Sequence, residues 1–142
     1  MSEESTVVQN MVSASLCRRL IDAGAKKGAE LGKAFTIAIV DASGVLKALE
    51  RMDGAPLVSV QVAQDKAYTA VGFGISTAAW HDFIKDDPPL AAGATAGIDR
   101  LVIFGGGFPI TVDGNLVGGI GVSGGHYSED SQVAEAALGA VG

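Results

Sequence analysis

The alternation of apolar and polar positions divides the chain into one series of elements with no linker between them. Between Ser13 and Leu31, Leu16, Leu20 and Ile21 recur at the spacing of an amphipathic helix, with Ser13 suited to the N-cap and Gly32 to the stop. Arg18 and Asp22 stand at i,i+4, where an intrahelical ion pair forms. Residues 1–12, ahead of this helix, read as an extended lead-in. Phe35-Thr-Ile-Ala-Ile-Val-Asp41 is a nearly unbroken apolar run, the pattern of a mostly buried strand, and Asp41-Ala-Ser-Gly44 turns it into a second strand, Val45 to Met52. Strands joined so tightly pair antiparallel. Asp53-Gly-Ala-Pro56 then breaks the pattern, and Pro56 suits the first turn of a helix to about Val71, ended by Gly72-Phe-Gly74.

In the second half, Ser76 caps a short helix in which Trp80, Phe83 and Ile84 fall at i, i+3, i+4, and Asp86-Asp-Pro-Pro89 terminates it as a solvated end. Leu90 to Arg100 has small residues and little period, which predicts a loop. Leu101–Phe104, Phe108–Val112 and Leu116–Val122 are short apolar runs separated by Gly105-Gly-Gly107 and Asp113-Gly114, the spacing of an antiparallel meander. Ser128 caps a last helix, Glu129 to Leu138, whose Glu129 and Asp130 complement the helix dipole. This order predicts a single α+β domain over residues 1–142: a five-stranded antiparallel sheet with helices packed on it.

Composition narrows the class. Of 142 residues, 48% are apolar, 18% are charged and 20 are Gly, so a packed core is favoured over a disordered or charge-rich chain. The net charge of -6 lacks the basic footprint that nucleic acid or an anionic membrane would need. No window approaches the roughly 18 apolar residues of a membrane span, and the acidic start differs from a secretory signal, so a soluble cytoplasmic protein is expected. Cys17 has no second cysteine to pair with and reads as a small core residue. So few charges on a small domain mean either an unusually bland surface or one largely covered by copies of itself.

Gly119-Ile-Gly121-Val-Ser-Gly124 matches the dinucleotide fingerprint G-x-G-x-x-G, but that motif must open a βαβ unit, and too little chain follows it here. The small residues are better read as letting another element pack closely against the last strand. The next helix N-terminus offers N–H groups to an anion, against which Glu129 and Asp130 would act by repulsion.

Five linked stretches carry a resemblance over residues 36–138: Ile39-Val-Asp-Ala-Ser-Gly44, Glu50-Arg-Met-Asp-Gly-Ala-Pro56, Ala63-x-x-Lys66-Ala-x-Thr69-Ala70, Phe104-Gly-Gly-Gly-x-Pro-Ile110, and Gly118-x-Ile-Gly-Val-Ser-Gly-Gly125 with Glu129-Asp130 and Val133-Ala-Glu-Ala136. In these the chain resembles the haem-binding HbpS / GlcG family, which also includes a domain fused to some cobalamin adenosyltransferases. The resemblance implies a profilin-like sheet of five antiparallel strands flanked by helices, a homo-oligomer and, for some members, binding of haem with iron release. It fixes no histidine at either position where this chain has one.

His81 and His126 are the only histidines, hence the imidazole candidates for an iron ligand or a near-neutral acid/base. His81 sits beside Trp80, which either helps cover a flat apolar ligand or anchors the core with Phe83 and Ile84. His126, after Gly124-Gly125, either faces a cleft or is a solvated turn residue. Arg51, Asp53 and Lys66 are the polar members of the shared stretches. Arg51 and Lys66 either neutralise a carboxylate or a haem propionate, or are ordinary pairs, Arg51 with Asp53 or Glu50 and Lys66 on a solvated helix face. Asp41 and Asp113-Gly114 are turn residues, and Tyr127 is either a phenolate or a packed helix-entry residue. Three readings follow: haem or other small-ligand binding, an enzyme acting on a carboxylated or carbonyl substrate, and a non-catalytic oligomeric accessory protein.

Overall fold

A computed structural model describes residues 4–142; the first three residues of the expected lead-in lie outside them. The rest of the lead-in has no regular secondary structure, yet Val12 is buried and its N–H donates to the Val117 carbonyl at 2.9 Å. The elements are α1 (Ala14–Glu30), β1 (Thr36–Asp41), β2 (Leu46–Arg51), α2 (Leu57–Phe73), α3 (Thr77–Ile84), α4 (Pro88–Gly97), β3 (Gly107–Val112), β4 (Asn115–Ser123) and α5 (Tyr127–Leu138). The strands form one sheet in the order β2-β1-β4-β3, with every neighbouring pair antiparallel.

Local signals explain most boundaries. Ser13 caps α1 by accepting from the Leu16 N–H at 3.0 Å, and Gly32 leaves the helix at φ +71°. Asp41 Oδ1 accepts from the Ser43 and Val45 N–H groups, closing the β1–β2 turn. Asp113 and Gly114 both take positive φ, 50° and 80°, as a tight β3–β4 hairpin requires. Arg18 and Asp22 make no ion pair among the described residues; Arg19 instead donates to Ser15 Oγ at 3.1 Å.

The sheet is covered on both faces, which is why β1 reads as a continuous apolar run. Ile37 and Ile39 of β1, with Ile120 and Val122 of β4, join Leu16, Leu20, Val133 and Ala137 of α1 and α5 in the main core, which also holds Cys17. On the opposite face Val40 meets Ala67 and Val71 of α2, and Thr36 Oγ1 bonds Ser59 Oγ at 2.7 Å. On this face β4 presents Gly119 and Gly121. A Cβ at Gly121 would fall on the Ala63 carbonyl oxygen of α2, and one at Gly119 on that of Ala67. The expected close approach to the last strand is therefore the seating of α2, and the first two fingerprint-like glycines belong to that contact, while Gly124 packs against Ala34 and Phe35.

Three expectations are corrected. The sheet has four strands: 101–104 is not a strand, because Leu101 is buried against Trp80, Ile84 and Ala94, and the Val102 N–H donates to Thr69 Oγ1 at 3.0 Å rather than to a neighbouring strand. The expected loop at 90–100 is largely α4. Asp87 caps it by accepting from the Leu90 N–H at 3.4 Å, two prolines fit its first turn, and its alanines favour helix without giving a period because Ala94 alone is buried. Finally, α5 starts two residues earlier than expected, capped by His126 rather than Ser128.

The α2–β4 contact predicts opposite outcomes for two glycines. Gly121→Ala forces α2 off the sheet and should cost about 3 kcal/mol or more, the upper end of overpacking effects. Gly72→Ala, in α2 with nothing within 4 Å of the added methyl, should stabilise by about 0.4–1 kcal/mol. Thermal or urea denaturation of the two variants checks the contrast.

Candidate functional site

Seating α2 so closely carries Lys66 into the interior. Its side chain has no exposed surface, so neither the solvated face nor a direct contact with a bound anion describes it. The ammonium donates to Asp130 Oδ2 at 2.8 Å and to the Val122 carbonyl at 2.9 Å, and Asp130 Oδ1 accepts from the Gly125 N–H at 3.0 Å. Burial pushes the Lys66 pKa down and the Asp130 pKa up, and each partner opposes the shift of the other. The Phe104 ring lies with its centroid 5.0 Å from the ammonium. Gly106, at φ +124°, passes directly over the pair: a Cβ there would stand 2.7 Å from Lys66 Nζ and 2.9 Å from Asp130 Cβ. The Gly107 N–H then donates to Thr77 Oγ1 at 3.0 Å, tying α3 to the start of β3.

In front of this pair opens a cleft of about 410 Å3, within the range of small-ligand sites. Its walls come from three places: Ala78, His81 and Asp82 of α3; Ile103, Phe104 and Gly105 ahead of β3; and Tyr127, Ser128 and Ser131 of α5. His81 is exposed, and no hydrogen bond among the described residues engages its ring. His126 lies outside the cleft wall. Its Nδ1 accepts from the Ser128 N–H at 3.2 Å and lies 2.8 Å from Ser128 Oγ, so the cap engages this ring nitrogen. The ring centroid lies 4.0 Å from that of Tyr127, with the two planes tilted by 37°.

The other candidates are dispersed. Trp80 is 4% exposed and packs with Ile84, Ala94 and Leu101 behind the α3 wall, flanked edge-on by Phe73 at 4.7 Å and Phe83 at 5.8 Å. Its indole N–H has no partner among the described residues. Arg51 pairs with neither Glu50 nor Asp53; it donates to the Ala55 carbonyl from Nε at 3.0 Å and Nη2 at 2.7 Å, bracing the turn at Gly54. Arg51 and Asp53 line a separate surface groove with Ala25 and Met52. The structure therefore brings neither Arg51 nor Asp53 to His81, and holds Lys66 behind Phe104.

Among the cleft-lining residues, Phe104, Ile103 and Ser131 were not singled out by sequence reasoning, nor was Asp130 behind them as the partner of Lys66. Phe104 and Asp130 stood in the shared stretches, but read as a strand end and a dipole-complementing carboxylate. The expected repulsion from the first turn of α5 is also offset: Asp130 is paired with Lys66, and Glu129 Oε1 accepts from Lys33 Nζ at 2.7 Å and from the His126 N–H at 3.0 Å.

The fold and cleft define a small α+β domain whose open site has an apolar floor and an imidazole, that of His81, without a hydrogen-bond partner among the described residues. The chain belongs to the HbpS-like family: the family of haem degrading protein HbpS-like matches residues 12–139. It is 31% identical to an uncharacterized 15.0 kDa protein of the dhaT-dhaS intergenic region of Citrobacter freundii, over 89% of each chain. It is 33% identical to the corrinoid adenosyltransferase PduO of Salmonella typhimurium over 87% of this chain, but spans 37% of that enzyme's length. A solved PduOC:haem complex superposes with a TM-score of 0.86 at 32% identity, covering 92% of this chain and 95% of the other.

The Lys33–Glu129 contact fixes a pH dependence. The Lys33 hydrogen bond, then that from the His126 backbone, hold the Glu129 carboxyl below its ordinary 4.5. A depressed folded pKa contributes stability that is full above 4.5 and lost as pH falls through the folded value. The melting temperature of wild type should therefore exceed that of Glu129→Gln at pH 7, with the gap closing in more acidic buffer.

Proposed function

We propose that this chain binds haem, or a related tetrapyrrole, in the α3–α5 cleft, with His81 as the iron ligand. The observation that carries this reading is the ring of His81, free of hydrogen bonds among the described residues, on a cleft whose floor is Phe104 and Ile103. Membership of the HbpS-like family and the likeness to the PduOC:haem complex support it. Haem, when bound, supplies a redox-active iron. The chain's own residues supply an imidazole from α3, apolar contact for the macrocycle from Phe104, Ile103 and Ala78, and hydroxyls of Ser128 and Ser131 suited to the propionates. The enzyme reading lacks this convergence, since Arg51 lies elsewhere and Lys66 is enclosed.

Hemin titration tests the assignment. Wild type should give a Soret shift that saturates at one haem per site, and His81→Ala should move the band and weaken binding at least tenfold. His126→Ala should keep the wild-type spectrum while costing about 1 kcal/mol of stability through the lost cap. A His81→Ala spectrum identical to wild type would overturn the ligand assignment.

The expected self-association is part of the same proposal, supported by exposed apolar side chains at Leu57 (77%), Val58 (69%), Phe83 (67%) and Phe73 (60%). Native mass measurement should return a multiple of the single-chain mass; a monomer at micromolar concentration counts against it.

A further inference from the structure

We propose that the buried Lys66–Asp130 pair is the positioning element of the cleft, holding Phe104 and Gly105 on one side in register with Tyr127, Ser128 and Ser131 on the other. The inference rests on the cleft being the haem site for its choice of ligand, and on geometry for the rest.

Lys66 has three N–H donors, and two are taken by Asp130 and the Val122 carbonyl. The remaining neighbour is the face of Phe104, at 5.0 Å, a cation–π contact made with a fully desolvated ammonium. Phe104 needs such a contact. It is 46% exposed, lies outside the sheet, and is followed by three glycines that restrain the backbone least of all residues. Asp130 reaches the opposite wall through its own helix, since Tyr127 and Ser131 flank it at i−3 and i+1, and it also holds the Gly125 N–H. The two walls meet where a Cβ at Gly105 would stand 2.5 Å from Ser131 Oγ and 3.1 Å from the Tyr127 carbonyl oxygen. One ion pair therefore joins α2, the glycine segment and α5 directly behind the ligand surface, and a ligand stacked on Phe104 is stacked on a ring oriented by Lys66. Lys66 and Asp130 act here as positioning residues, since neither touches the ligand.

Replacing both partners by apolar residues separates positioning from stability, because such an exchange is often neutral for folding where loss of one partner is not. The test compares wild type, Lys66→Met/Asp130→Leu and Phe104→Leu by amide hydrogen exchange of the ligand-free protein and by hemin titration. In the double variant, exchange at 101–107 and 125–131 should rise at least tenfold while β1 and β4 stay protected. Its hemin affinity should fall at least tenfold with an altered Soret band, and Phe104→Leu should reproduce the affinity loss without the exchange at 125–131. Unchanged exchange at 101–107 overturns the inference, as does wild-type affinity in a double variant whose exchange has risen. If wild type takes up no hemin, the haem reading falls, and the exchange pattern alone decides the positioning claim.

Discussion

The close seating of α2 on β4 is the constraint from which the site follows. Residues 119 and 121 must lack a Cβ because carbonyl oxygens of α2 occupy the space. With Ala63, Ala67 and Ala70 as the facing residues, the helix lies at backbone contact distance from the sheet. At that distance a long side chain on the same face cannot escape sideways into water, and Lys66 is turned inward. An interior ammonium requires a counter-charge and hydrogen-bond acceptors, which Asp130 and the Val122 carbonyl provide. The position of α5 and of the glycine segment before β3 is thereby coupled to a packing decision made on the far side of the sheet.

This pair differs in kind from the other charge contacts. Lys27–Glu30 at 3.9 Å and Lys85–Asp82 at 3.7 Å are solvent-accessible i,i+3 pairs, which contribute little in water. Leaving either Lys66 or Asp130 unpaired would strand a buried charge, a loss of about 3–5 kcal/mol. Such a group constrains its surroundings more than it stabilises them, because its partners must be present in one geometry. That constraint falls on Gly106, Gly125 and Phe104, of which Phe104 lines the cleft.

Much of the architecture was legible in the chain because its signals are local. The Ser13 and Ser76 caps, the Asp41 and Asp113-Gly114 turns and the apolar run of β1 each depend on a few neighbouring residues. The failures have a common cause in tertiary contact. Leu101–Phe104 has a strand's composition, but Thr69 takes the backbone N–H of Val102 and a satellite core takes Leu101. An alanine-rich helix with one buried position, α4, carries no period to detect. The site was less legible still. Nothing near Lys66 in sequence announces a partner 64 residues away, and the separation of Arg51 from His81 appears only once the sheet is assembled. His126 shows the same limit: its role as a cap depends on Ser128 and Glu129 folding into the first turn of α5.

The cleft lies at the seam between two hydrophobic clusters, and its walls are held in unequal ways. The α5 wall grows out of the main core through Val133, Ala134 and Ala137, and is locked by Asp130. The α3 wall belongs to the small cluster of Trp80, Ile84, Ala94 and Leu101, joined to the rest by Gly107 to Thr77 at one end, and by Thr69 to the Arg100 carbonyl and Arg100 to Asp65 at the other. Residues of the α3 wall that face the cleft, His81 among them, take no part in the main core. Substituting them changes what the cleft presents while the sheet, α2 and the buried pair stay in place. A fold divided in this way keeps the α5 wall under the packing constraint of the main core and leaves the cleft-facing side chains of the α3 wall outside it.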